Sequence, residues 1–256
     1  MRVVLAVKER KKPFLPIEAE AILPSAFLDQ EAKLTVWKGN KELPFAEVFA
    51  VSIDGEAESA DDVEIVIRGD SSRIKRIGEY MDGGRIVIEG DIGMHCGNFM
   101  EAGTIEIMGS ADAWLGREMR GGSIICRGNA GDYCGSGYRG EKKGMRGGSI
   151  EVFGNAGDFT AEMLAGGSIV IHGNAGDMAG VDMHDGALVI HGDARMVCAN
   201  MTGGTCTVHG TVADMMPTFV RTGQVLIEGT EFTRFSGDIA NRGKGTLFIR
   251  RWQYMD

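Results

Sequence analysis

Three histidines, His172, His191 and His209, stand 19 and 18 residues apart, each immediately before a glycine in an alternating segment of the type SIVIHG. Imidazole is a common zinc ligand, but zinc needs donors converging at about 2.1 Å in a tetrahedron. Residues holding one slot in successive strands line up instead, with about 4.8 Å between neighbours. The expectation is therefore an outward stack of rings on a surface or interface, and no metal site. Asn129, Asn155 and Asn174, each followed three residues later by Asp132, Asp158 and Asp177 in NAGD turns, could mimic a calcium-binding repeat. They lack the GGxGxDxUx period, so turn hydrogen bonding is the favoured reading. Cys96, Cys134 and Cys198 each lie six residues after a repeat glycine, and Cys126 and Cys206 fall in inward strand slots. None has a repeat-placed histidine beside it, so the cysteines read as small buried fillers, and no nucleophile with its base can be assembled. Two further features suit contact with other proteins. A seven-residue insertion within GSGYRGEKKG offers Tyr138, Arg139, Lys142 and Lys143, as a binding loop or as a solvated turn. An outward apolar column of Val87, Ile125, Val170, Val189 and Leu226, beside Met108, Phe153 and the histidines, is either a partner contact or a face covered by the N-terminal segment.

These residues are positioned by a repeat. Glycine makes up 39 of 256 residues, about twice the usual share of roughly 7%. The glycines that close the alternating segments run from Gly69 to Gly229 at spacings of 21, 19, 19, 26, 19, 19, 18 and 19, and those that open them run in parallel from Gly84 to Gly223. Between them lie inward pairs such as Ile86 and Ile88, Ile169 and Ile171, and Val225 and Ile227. Three residues before each opening glycine comes a further apolar series: Met81, Met100, Met119, Met145, Leu164, Met183, Met201 and Val220. A 19-residue unit is too short for two helices, and its glycines would each cost a helix about 1 kcal/mol. The pattern predicts an all-β, right-handed parallel β-helix, with glycines at turns needing positive φ and methionines as an internal ladder. Residues 62–251 form this unit. Residues 1–61, with possible strands at 3–7, 34–37 and 48–53 interrupted by Pro13, Pro16, Pro24 and Pro44, form a cap, and 252–256 a tail.

A net charge of -9 repels phosphate backbones and anionic lipid, which argues against nucleic-acid and membrane partners. Five cysteines with no Cys-x-x-Cys pair, and no apolar run approaching eighteen residues, suggest a reduced, cytoplasmic protein. With 18 aromatics (Trp 3, Tyr 4, Phe 11) and no repeat-placed tryptophan discernible, a carbohydrate-binding β-helix is disfavoured.

The stretch GNAGDYCGSGYRGEKKGMRGGSIEVFGNAGD at 128–158, MPTF at 216–219, FSGD and the terminal GKGTLFI resemble the C subunit of formylmethanofuran dehydrogenase. A bacterial relative is the C subunit of the formyltransferase/hydrolase complex, and the bare repeat also resembles the C-terminal glycine-repeat domain of glutamate synthase. The resemblance implies a non-catalytic subunit with no cofactor of its own. In that assembly partner subunits carry a molybdenum or tungsten pterin, iron–sulfur clusters and a dinuclear metal site, reduce carbon dioxide and formylate methanofuran. The implied partners are an amidohydrolase-like A subunit and pterin-binding subunits, with methanofuran engaged only indirectly.

Overall fold

The computed structural model describes residues 1–8, 15–29 and 33–255. Pro13 and Asp256 lie outside the described residues. The protein is all-β, its α-helical content among the described residues being the single turn Phe45–Val48. Seven successive parallel pairings join the strand Glu64–Arg68 to Asp82–Ile88, Ala102–Ile107, Ser123–Cys126, Ser149–Val152, Ala165–Ile171, Asp185–Ile190 and Thr205–Met215. The register is that of the glycine series: Ile86, Ile105, Ile124, Ile150, Ile169, Leu188 and Cys206 form one inward row, all buried. Ile124 pairs with Ile150 across the longer unit, so the seven extra residues loop outward without shifting the register.

Parallel pairing is not confined to these strands. A second row of bridges runs Ile92, Ala111, Ala130, Ala156, Ala175. Between the rows, turn residues in the left-handed region donate their backbone N–H to the next coil: His95 (φ 67°) to Ala113, Trp114 (φ 68°) to Asp132, Tyr133 (φ 62°) to Asp158 and Phe159 (φ 57°) to Asp177. Positive φ is therefore not confined to glycine, as the sequence alone suggested. Bulky residues adopt it here because the intercoil bond holds each one in place. Where two coils touch, glycine is required. Gly103 has φ of +85°, and a Cβ there would lie 2.6 Å from the Gly84 carbonyl oxygen and 2.7 Å from Met81 Cε. The methionine ladder is buried from Met81 to Met201.

The sheet as a whole is mixed, and both exceptions lie at its ends. At the start, Arg2–Val7 pairs parallel with Glu64–Arg68 and antiparallel with Phe49–Asp54, extending the stack by two strands. A small sheet of Ile17–Glu18, Thr35–Lys38, Lys41–Pro44 and Ile74–Lys75 stands beside them. At the far end the repeat pattern misleads. Val220–Ile227 does not stack on the preceding coil but forms an antiparallel hairpin with Thr230–Gly237. Gly245–Tyr254 takes its place, pairing Leu247 with Cys206 and Ile249 with Val208. Leu247 and Ile249 are fully buried, whereas Val225 and Ile227 are only half-buried and Val220 is exposed. The terminal FSGD segment fastens the hairpin: the buried Asp238 carboxylate accepts hydrogen bonds from the backbone N–H of Asn200 (3.2 Å) and Ala240 (2.9 Å).

Candidate partner-binding surface

The outward strand face carries two columns. The first, in register order, is Val66, Val87, Glu106, Ile125, Glu151, Val170, Val189, Thr207 and Phe248. Val170 and Val189 face each other across adjacent coils and are half-buried. Two glutamates interrupt the apolar strip, and Leu226, expected in it, belongs to the hairpin and is 71% exposed. Glu106 bridges Arg85 (2.6 Å) and Arg127 (2.8 Å), and these two guanidiniums hold its carboxyl below the usual carboxylate range. The second column is a ring stack: Phe153 on His172 (4.7 Å), His172 on His191 (5.1 Å), His191 on His209 (4.6 Å), with Phe232 edge-on at the end (5.0 Å). His172 Nε2 lies 2.8 Å from Glu151 Oε1. The three imidazoles are stacked in pairs in roughly parallel planes, so their nitrogens lie one above another and do not converge on a point. Burial, and then the flanking His209 and His172, press the His191 pKa below that of a free imidazole. Among the described residues, no group of three or more His, Cys, Asp or Glu side chains is placed to hold a metal ion.

The inserted loop closes on itself through Met145 N–H to the Gly135 carbonyl (2.9 Å), while the Lys142 carbonyl reaches His184 Nε2 (3.0 Å). Arg139, Lys142 and Lys143 are exposed at its tip. Tyr138 is 46% exposed yet anchored: its ring tilts against Trp114 at 5.3 Å and takes the Arg117 guanidinium at 4.9 Å, and its backbone N–H donates to Glu118 Oε1 at 3.4 Å. Trp114 belongs to a second ring ladder, His95, Trp114, Tyr133 and Phe159, built by the left-handed turn residues. Their spacings of 19, 19 and 26 match the glycine series, so Trp114 is repeat-placed after all. That periodicity was the available signal, hidden because histidine and three different aromatics share the slot. Stacked at 4.2 to 6.1 Å, the rings turn their faces to one another and present edges outward, which is not the open-faced platform a sugar needs. The loop sits at this turn and the histidine column on the strand face. Among the described residues, no ion pair or ring contact joins the two sets.

The NAGD turns are hydrogen-bonded from coil to coil. Asn129 Oδ1 accepts from Asn155 N–H, Asn155 Oδ1 from Asn174 N–H, and Asn174 Oδ1 from Asp193 N–H, each at 2.8 Å. Asp132 and Asp158 do the same for Asp158 and Asp177. All five cysteines are reduced and buried. A largely apolar hollow of about 580 Å³ lies apart from these features, among Phe27, Leu43, Phe45 and Ile53 of the N-terminal region.

No protein-family model matches the chain. It is 45% identical over 85 residues to the C subunit of the molybdenum-containing formylmethanofuran dehydrogenase 1 of Methanosarcina barkeri, covering 32% of this chain and 28% of that protein. It is 38% identical over 100 residues to the C subunit of the tungsten-containing formylmethanofuran dehydrogenase 2 of Methanothermobacter thermautotrophicus, covering 37% and 36%. The aligned segments thus span about a third of the curated relatives' lengths. Among solved structures, a chain of the formyltransferase/hydrolase complex (FhcABCD) from Methylorubrum extorquens in complex with methylofuran superposes with a TM-score of 0.85 at 30% identity, over 96% of this chain and 98% of that one.

Proposed function

The chain belongs to the family of formylmethanofuran dehydrogenase C subunits, and from that premise we propose that it is a non-catalytic structural subunit of such a complex. The observation that carries the reading is the superposition over almost all of both chains on a component of a multi-subunit assembly. In this role the exposed loop of Tyr138, Arg139, Lys142 and Lys143, and the strand face of Val170, Val189, His172, His191 and His209, contact the partners. Those partners are an amidohydrolase-like A subunit and pterin-binding subunits. The pterin, iron–sulfur and dinuclear metal centres belong to them, and methanofuran meets this chain only indirectly. The working compartment is the cytoplasm; among the described residues, no helix is long and apolar enough to cross a membrane.

We also propose that the coils wind as one right-handed parallel β-helix. Seven consecutive parallel pairings with no crossover helix between them support that reading. A rigid tube of this kind suits a spacer, because each coil's position is set by its neighbours.

The whole-chain match to the formyltransferase/hydrolase complex favours a second reading, in which the chain is the C subunit of such a complex. Purification of a tagged chain from its native host tests both. Co-elution with the other subunits is expected, and molybdenum or tungsten in the co-purified assembly selects the dehydrogenase. The full chain eluting alone as a soluble monomer, or turning over a formyl substrate by itself, would refute the structural-subunit role. A Tyr138→Ala, Arg139→Ala double variant that leaves both composition and activity of the complex unchanged would remove the loop from the contact.

A further inference from the structure

Beside the inserted loop lies a polar cleft of about 240 Å³, lined by Glu18, Arg76, Glu79, His95, Asn98, Arg117 and Tyr138. Backbone groups around it take part in the intercoil bonding: His95 N–H donates to Ala113, Phe99 N–H to Arg117, and the Asn98 carbonyl accepts from Tyr80. Not all the side-chain groups are engaged. Asn98, only 2% exposed, has a buried carboxamide oxygen without a partner, and the same holds for Arg117 Nε and His95 Nδ1. Glu118 Oε1, the nearest carboxylate oxygen to Arg117 Nε, stays 3.9 Å away, beyond hydrogen-bond reach. Buried polar atoms without partners are costly, and three of them around one hollow point to an occupant that completes them.

The charges narrow what that occupant is. Arg76 is already engaged by Glu18 at 3.0 Å and by Glu79 at 2.5 Å. Burial, with Arg117 nearby, lowers His95 to about 4, so the ring is neutral at physiological pH. Two guanidiniums therefore meet two carboxylates around the cleft, leaving no surplus positive charge to hold an anion. The occupant must be neutral, present an acceptor to the Arg117 N–H and a donor to the Asn98 oxygen, and lie beside an aromatic wall. A peptide group supplies that pair of functions on one plane. The cleft opens at Tyr138, whose ring is supported by Trp114 and Arg117 and still half-exposed, as an interface anchor is.

We propose that this cleft receives a main-chain peptide group from a neighbouring subunit of the complex, with its C=O on Arg117, its N–H on Asn98 and its plane against Tyr138. This deepens the structural-subunit reading and rests on it. The test uses the co-purified complex. A benzophenone photo-cross-linker in place of the Tyr138 ring is expected to form an adduct with one short segment of a neighbouring subunit. An Asn98→Leu, Arg117→Met double variant, which keeps most of the side-chain bulk while removing the carboxamide and the guanidinium that lies over Phe99, is expected to leave the complex about 10- to 100-fold faster on dilution. Adducts confined to this chain, with an unchanged dissociation rate, would mean that the cleft holds only water and would overturn the proposal while leaving the subunit role intact. If the wild-type chain failed to co-purify with any other subunit, the reading beneath the proposal would fall, and the proposal with it.

Discussion

Replacing Asn129, Asn155 and Asn174 together by alanine tests whether the NAGD turns bind one coil to the next or bind an ion. Each carboxamide oxygen takes one backbone N–H of the following coil at 2.8 Å. The side chains are at most half-buried, so each truncation leaves an amide that water reaches in part, the situation of a helix N-cap, where loss costs about 1 kcal/mol. The three rungs share backbone, so about 3 kcal/mol is an upper sum for the triple variant. At about 2–4 °C per kcal/mol for a chain of this size, the melting temperature should fall by about 6–12 °C. Thermal unfolding followed by circular dichroism reads this directly, with calcium and a chelator as the two controls. Neither should move the wild-type midpoint. A triple variant melting within about 2 °C of wild type, on that same scale, would refute the ladder as a stabilising device. A wild-type midpoint that drops on chelation and returns with calcium would show that the turns serve a cation instead.

Other expectations follow from the same geometry. Met119→Ala empties a fully buried slot whose Cε lies against the Gly148 turn and should cost about 2–5 kcal/mol in denaturant melts, whereas Met108→Ala on the 51%-exposed outer column should be close to neutral. The folded state keeps the His191 pKa below its unfolded value, so the unfolded chain binds more protons as the pH falls. Stability should be full above about 6.5 and decline as the pH drops from there through the folded pKa, and His191→Phe should flatten that slope in a pH series of melts while keeping the stack. Asp238→Ala leaves two backbone N–H groups without their buried acceptor and should cost about 1–3 kcal/mol, with hydrogen exchange rising first around Asn200 and Ala240.

What the amino-acid order alone determines is the repeating strand and its register. Alternation over four to six residues and a glycine where two backbones nearly touch are local properties. Ile86 through Cys206 therefore reveal their register without any knowledge of the neighbours, and the insertion before Met145 shows as a break in spacing. The Tyr138 loop, the histidine column and the asparagine turns were all legible on those terms. Only the tertiary structure decided which strand ends the stack. Val220–Ile227 and Gly245–Tyr254 both alternate, but alternation specifies a half-buried strand and not its partner. The choice is made where Phe232 and Phe235 of the hairpin close over His209 and Trp252, leaving Leu247 and Ile249 to fill the core. Likewise, periodicity puts Asn98 and Arg117 in one slot, 19 residues apart, and His95 three positions earlier, but it could not show that all three leave polar atoms without partners around one cleft. Hydrogen bonds that are not made become visible only when every neighbouring donor and acceptor has been placed.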